Sequence, residues 1–204
     1  ADAPGPDLLG VLIGSEGTLA VVTKVTVRVL RRPEAVQTLL AAYNSVAAAG
    51  AAVSAIIATG IIPAAVEIMD GVSLIAVEAA VHPNFPPAEA ILIVELDGPS
   101  AEVQEQFADV EAICRQSGAT TIEIAQTDEH RARIWKGRKG AFAAMGRVTP
   151  NYYVQDGVVP RTKLPEVLER IRDLEKRSGL RIGNVFHAGD GNLHPLIMFD
   201  AADE

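Results

Sequence analysis

The chain has 204 residues and a mass of 21.5 kDa, enough for one substantial core or for one domain plus part of another. With 49% hydrophobic and 22% charged residues it has the composition of a folded globular protein, which excludes a disordered tail, a collagen-like repeat and a disulfide-stapled mini-protein. Eighteen Lys and Arg against 26 Asp and Glu give a formal charge of -8, whereas a nucleic-acid footprint needs a net basic face or stripe.

The charge is unevenly placed. Residues 33–126 hold twelve acids and Arg115 as their single base, while residues 127–181 hold thirteen bases and seven acids. Such asymmetry can draw a small anion towards the later segment, and it is also what a solvated helix surface looks like. Cys114 is the sole cysteine, so no intrachain disulfide or Cys-rich metal site can form. It falls on the apolar face of a predicted helix, where a small buried hydrophobe belongs. A reducing, intracellular setting is compatible with this, and no secretory signal opens the chain.

In chain order, the opening ADAPGPD leads into an apolar, strand-like pattern without an initiator methionine, and the chain closes at Glu204 just after another such pattern. The expectation is a piece of a larger protein. Thr18 to Leu30 is rich in valine and threonine and predicts a half-solvated strand. Val21, Thr23, Val25, Val27 and Val29 fall on one face of it, and Val22, Lys24, Thr26 and Arg28 on the other. Arg31, Arg32 and Pro33 end that pattern, and the next residues predict a helix over 34–49 and a second over 51–59, broken by Gly60 and Pro63. Residues 35–66 carry no formal charge, but Gln37, Asn44, Gly50, Ser54, Gly60 and Pro63 deny them a continuous apolar span, so two short buried helices fit better than a membrane segment.

A strand over 65–69 and a helix over 72–81 follow, then the proline-rigid loop His82 to Pro87. Residues 90–96 predict a strand, and Ser100 can cap a helix whose stripe is Val103, Phe107, Val110 and Cys114. Gly118 suits the residue just past its end. A strand over 120–125 precedes a basic helix capped by Thr127 or Asp128 and running to about Met145. A strand over 152–155 comes next. Thr162 can cap a helix that carries Pro165 and Glu166 in its first turn, buries Leu164, Leu168, Ile171 and Leu174, and stops at Gly179. Strands over 182–187 and 194–199 close the chain. The pattern predicts an α+β fold: a largely antiparallel sheet on one side covered by helices on the other, with ferredoxin-like strand–helix–strand units.

Three motifs carry chemistry. The sharpest is His187-Ala188-Gly189-Asp190-Gly191-Asn192-Leu193-His194, which gathers two of the four histidines. If its flanks pair as a hairpin, Gly189 and Gly191 allow the reversal, and His187 and His194 face each other at its mouth, pointing to one side. Two such imidazoles can share a metal, or one can act as base while the other orients substrate; a structural turn with incidental histidines is the plain alternative. A zinc or manganese site would want a third ligand, usually a carboxylate. The second motif is Trp135-Lys136-Gly137-Arg138-Lys139, in which Arg138 can grip a carboxylate, while Arg133, Lys136 and Lys139 read as solvated helix face. The third is Gly14-Ser15-Glu16-Gly17-Thr18, whose backbone can approach a ligand closely and which is neither a dinucleotide fingerprint nor a P-loop.

Together, HAGDGNLH, GSEGTLAVVT, IWKGRKGAF and Asp156-Gly157-Val158-Val159-Pro160-Arg161 resemble the flavin-linked 2-hydroxy-acid oxidase and dehydrogenase family, which includes bacterial glycolate oxidase catalytic subunits and D-lactate dehydrogenases. Ala20 stands where a glycine is common in that family. The resemblance implies that residues 1–32 are the closing segment of a truncated FAD-binding domain, and that residues 33–204 are the substrate domain, itself cut short. It implies that Gly14, Ser15, Gly17 and Thr18 lie against FAD, with Asn192 in support. It places substrate carboxylate on Arg138, and a divalent metal (Zn or Mn) or the substrate on His187 and His194. The implied reaction is oxidation of a short 2-hydroxy acid, glycolate or D-lactate, by hydride transfer to FAD. An electron-transfer subunit or a second copy is the implied partner, and the implied setting is cytoplasmic or peripheral to the inner face of the membrane. The chain by itself is expected to hold FAD poorly and to turn over little. The alternatives are a ferredoxin-like small-molecule or metal binding module and a subunit-contact domain that uses residues 35–66.

Overall fold

The structure, a computed structural model, describes residues 5–203 and divides into two compact units, Ala1–Arg32 and Pro33–Glu204. In the first, Asp7 caps the short helix α1 (Leu8–Leu12) by accepting from the Gly10 amide at 2.9 Å, so the opening apolar run is a helical turn and not a strand. Ser15 to Thr18 form a tight turn, with the Thr18 amide and hydroxyl both donating to the Ser15 carbonyl. The strand expected over Thr18 to Leu30 is absent: residues 20–33 have no regular secondary structure, and Val21, Val25, Val27 and Val29 are exposed. Alternation favours an extended backbone, but a strand exists only through bonds to a neighbour, and none of the strands among the described residues pairs with this segment.

The second unit opens with the largest correction. The helix expected over 34–49 is a strand, β1 (Ala35–Tyr43), and the two expected helices are replaced by one, α2 (Val46–Ala58), capped by Ser45. Leu39, Ala41 and Tyr43 pack on one side of β1 while Leu40 and Ala42 pack on the other. A strand buried on both faces reads as a continuous apolar run, which periodicity cannot tell from a buried helix.

Then come β2 (Ala65–Asp70), α3 (Gly71–Val81), β3 (Ala90–Gly98), α4 (Ser100–Gln116) and β4 (Thr121–Ile124). They are followed by α5 (Asp128–Ala144), β5 (Asn151–Val154), β6 (Gly157–Val158), α6 (Leu164–Ser178), β7 (Arg181–His187), β8 (Asn192–Leu193) and β9 (Pro195–Phe199). Thr127 caps α5, as expected. Ser100 and Thr162 are not caps, since α4 and α6 begin without a side-chain cap bond. Gly179 ends α6 with φ of +74°. On α6, Leu164 and Leu168 are buried, but Leu174 is 48% exposed and is not core.

All strand pairs are antiparallel, in the order β4-β1-β3-β2-β7-β8-β6, with β9 joining β7 to β5. Helices cover both faces of this sheet, not one. α2, α4 and α6 share a core that includes Val53, Ile56, Phe107, Cys114 and Leu168; α3 and α5 share a second one around Val77, Ile91, Ile93, Ile134 and Met145. The doubly buried β1 and β3 require that second layer.

On the second face α5 lies close. An added Cβ at Gly137 would come within 2.4 Å of the Phe85 ring, and one at Gly140 within 2.9 Å of Val81. These two glycines let α5 pack tightly, which brings the polar side of its inner stripe onto the sheet. Among the described residues no helix is long and apolar enough to cross a membrane.

Candidate functional site

The register of β2 against β7 builds the centre of the site. Glu67 pairs directly with His187, so the two side chains leave adjacent strands on the same face. The His187 Nδ1 lies 3.0 Å from Glu67 Oε1. From above, α5 supplies Arg138, which follows Ile134 by one helical turn and precedes Ala141 on the buried stripe. Its Nε and Nη2 donate to Glu67 Oε2 at 3.0 and 2.8 Å. Arg138 and Glu67 are both deeply buried, at 7% and 9% side-chain exposure, while His187 sits at the mouth with 45%.

His194 completes the group, though not as the hairpin predicted. His187 pairs with Asn192 across the turn, not with His194, because β8 and β9 meet β7 at separate points. The two rings still meet edge to face, with centroids 5.3 Å apart at 89°. Phe142 of α5 holds the other side of His194 at 5.7 Å, and Asp156 places a carboxylate oxygen 3.5 Å from His194 Nδ1. Burial lowers the pKa of His194; His187 and Arg138 push the same way, and Asp156 and Glu67 oppose them. Its ring is therefore held towards the neutral form.

The turn between the histidines is tight. The Asp190 amide donates to the His187 carbonyl at 3.1 Å, and Gly191 has φ of +73° with the Val159 carbonyl oxygen 2.2 Å from where a Cβ would lie. Only glycine fits there. Arg161 lies along this turn, its Nη1 3.4 Å from the Gly189 carbonyl. A cavity of about 550 Å³ reaches Glu67 and His187 between Arg161 and the apolar wall of Ile61, Ile62 and Pro63.

The structure thus brings together Arg138, His187 and His194, and it adds Glu67, Asp156 and Phe142, which sequence reasoning missed. Glu67 had a signal. It ends the uncharged stretch 35–66 and stands inside an apolar strand, where a lone carboxylate needs a partner. Lys136 and Lys139 are exposed as expected, but Arg133 is half-buried, pairing with Glu123 and donating to the Pro83 carbonyl.

Asn192 has a buried Oδ1 without a hydrogen-bond partner, an acceptor open to a donor. In the first unit, Gly14 and Gly17 have φ of +81° and +79° with nothing near their missing Cβ atoms. Such a backbone leaves room for close approach of a ligand. Among the described residues no three His, Cys, Asp or Glu side chains converge to hold a metal. Glu67 is already engaged through both oxygens, so the two imidazoles lack a third ligand here.

Solved structures share this fold. Alkyldihydroxyacetonephosphate synthase superposes with a TM-score of 0.67 at 17% identity, over 96% of this chain and 43% of that one. A p-cresol methylhydroxylase gives a TM-score of 0.57 at 11% identity, over 82% of this chain and 39% of that one. Sequence relatives are nearer. The glycolate oxidase subunit GlcD of Escherichia coli (strain K12) is 52% identical over 201 residues, and that of Bacillus subtilis (strain 168) is 38% identical over 200. The mitochondrial D-lactate dehydrogenase (cytochrome) of Arabidopsis thaliana is 32% identical over 204 residues. These matches take in 98–99% of this chain but only 36–43% of each relative. The family model described as FAD linked oxidases, C-terminal domain, matches residues 32–204, and the chain belongs to that family.

Proposed function

We propose that a protein carrying this chain together with a flavin-binding domain oxidises a short 2-hydroxy acid, glycolate or D-lactate, to the 2-oxo acid. The observation that carries this is the meeting of one buried guanidinium and one imidazole on Glu67, with the second imidazole edge to face against the first. The names of the relatives, glycolate oxidase subunit and D-lactate dehydrogenase, support the same substrate class.

Arg138 spends Nε and one edge of Nη2 on Glu67, and no group among the described residues accepts from Nη1. The Nη1 edge is the part that receives the substrate carboxylate, as a charge-assisted bond worth about 1.5–3 kcal/mol. The carboxylate of Glu67 can only accept, so it favours a proton on His187 Nδ1 and a lone pair on Nε2, while Asp156 places its charge 3.5 Å from His194 Nδ1. An Nε2 so prepared takes the hydroxyl proton as the carbinol becomes a carbonyl. Bound FAD supplies the two-electron acceptor for the hydride that leaves the substrate Cα. Gly14, Ser15, Gly17 and Thr18, and separately Asn192, are the residues we assign to holding it. A zinc or manganese ion on His187 and His194 would need a ligand beyond those described, and the proton transfer above requires only the imidazoles. A flavin-linked partner subunit or a second copy, and a cytoplasmic or membrane-peripheral setting, complete the proposal.

The test is a screen of 2-hydroxy acids against the complete protein, with bleaching of the flavin absorbance as readout. Glycolate or D-lactate should reduce the flavin in the native protein, and His187→Ala should abolish that reduction while leaving flavin content intact. Reduction at the native rate in His187→Ala would sink the assignment. A binding module or contact domain would show no reduction by any 2-hydroxy acid.

A further inference from the structure

We propose that a second cavity of the Pro33–Glu204 unit, lined by Asp70 and Asn184, is a binding site for a small aliphatic amine held as its ammonium ion by the Asp70 carboxylate. This site is independent of the hydroxy-acid reading above. It shares no lining residue with the cavity that reaches Glu67 and His187. Asp70 and Asn184 stand three residues further along β2 and β7 from that pair, about 10 Å at the rise of a strand.

The cavity holds about 1140 Å³ between the N-terminal turns of α2 and α3, the proline-rigid loop and α6, room enough for a small organic molecule. Asp70 and Asn184 are both deeply buried. Asp70 Oδ1 accepts from the Ser73 amide and Oδ2 from Asn184 Nδ2, one bond each, so both oxygens keep a lone pair. Asn184 Nδ2 also reaches the Ile182 carbonyl, which leaves its buried Oδ1 without a hydrogen-bond partner among the described residues. An ammonium brings three donors and no acceptor. Asp70 Oδ1, Asp70 Oδ2 and Asn184 Oδ1 are three acceptors for them, and Leu74, Phe85, Pro86 and Leu168 line the cavity for an alkyl chain.

Charge decides the class of ligand. Asp70, Glu78, Glu89, Glu169 and Glu175 line the cavity against a single base, Arg172. Among the described residues none of these five carboxylates forms a salt bridge. The N-termini of α2 and α3 contribute about +0.5 each, and the side chains outweigh them. An anion would therefore be repelled. A metal ion would want three converging ligands, and no such group of His, Cys, Asp or Glu occurs among the described residues. Capping α3 accounts for one bond of Asp70 but not for its charge, since asparagine caps a helix equally well. Burial pushes the Asp70 pKa up to about 6, as befits a carboxylate without a counter-ion, and it is still mainly ionised near neutral pH.

Isothermal titration of the complete flavin-loaded protein with pentylamine tests this near neutral pH. Pentanol and pentanoate, the same chain with a neutral and an anionic head, are titrated beside it. Pentylamine should bind saturably with a Kd of about 1 mM or below, a range open to a ligand of this size. The alcohol and the carboxylate should bind at least about tenfold more weakly. Asp70→Asn, which keeps the cap of α3, should weaken pentylamine about 10–100-fold, the worth of a charge-assisted bond, and leave flavin content unchanged. Glu67→Gln, at the other cavity, should bind pentylamine as the native protein does. Glu169→Lys, an exposed change on α6, should weaken it about two- to fivefold, less in high salt, and stands in if Asp70→Asn does not fold. The proposal is overturned by the absence of saturable pentylamine binding, by equal affinity for the alcohol, or by a loss in Glu67→Gln like that expected for Asp70→Asn. Native affinity in Asp70→Asn, or in Glu169→Lys where that variant stands in, overturns it as well.

Discussion

α5 carries two arginines seven residues apart, Arg131 and Arg138, and each grips a glutamate from one of two adjacent strands, β3 and β2. The two pairs share one chemistry and have different surroundings. Glu95 accepts from Thr38, from Trp135 and twice from Arg131, at 2.6–2.7 Å. Burial raises its pKa, but the bonds from Arg131, Thr38 and Trp135 outweigh that and hold the carboxyl below its ordinary value. Both oxygens of Glu95 have donors, and although Glu95, Arg131 and Trp135 also line a cavity of about 770 Å³, every partner is an Arg, Thr or Trp group, so the cluster acts as a clamp between α5 and the sheet. Glu67 differs in facing a histidine, and among the described residues no group accepts from Nη1 of its arginine. A buried ion pair becomes a site when one of its bonds goes to a group that can itself react.

That contrast can be broken most sharply by removing the carboxylates. Glu67→Ala leaves Arg138 buried without a counter-ion, and urea unfolding should show a loss of about 3–5 kcal/mol. A loss below about 1 kcal/mol would mean that Arg138 reaches water easily. Asp70 supplies a third case, a buried carboxylate that takes bonds from the Ser73 amide and Asn184 Nδ2 but pairs with no cation among the described residues. Burial pushes its pKa from 3.8 up to about 6. The folded state then binds more protons than the unfolded chain between those values, so stability falls as pH rises from about 4 to about 6. Asp70→Asn removes this slope. It should be more stable than the native chain by about 2–3 kcal/mol at pH 7, with the advantage fading by pH 4; a pH-independent difference would show that Asp70 is ionised at no cost. Glu95→Ala should cost least, about 2 kcal/mol by the same urea measurement, because Arg131 is 40% exposed and can turn to solvent.

Much of this was legible from the residues, and the failures have physical causes. The stripe Val103, Phe107, Val110 and Cys114 is buried as the helical spacing required. The stop at Gly179 and the turn at Gly191 follow from residues whose backbone only glycine adopts easily. β1 was mistaken for a helix because both its faces are covered, which erases the alternation that marks a strand. The valine-rich run after Thr18 has the alternation and no partner strand among the described residues, so pattern alone overcalled it.

In the candidate site, local motifs point to His187, His194 and Arg138, while Glu67 lies 120 residues from His187 and 71 from Arg138. Such a contact is set by sheet order, which no local pattern encodes. The two rings meet, as the hairpin expectation had it, but through another register, since His187 pairs with Asn192 and Glu67 rather than His194.

The most direct test compares the two glutamate–arginine clusters in one assay, anaerobic flavin reduction by glycolate or D-lactate in the complete protein. Replacing the reactive group beside Glu67, His187→Gln, should slow the limiting rate at least about 100-fold, the scale of a lost general base, whereas Glu95→Gln in the other cluster should leave it at the native value. Equal effects from the two substitutions, or a native rate in His187→Gln, would contradict the claim that the cluster around Glu67 is where the chemistry takes place.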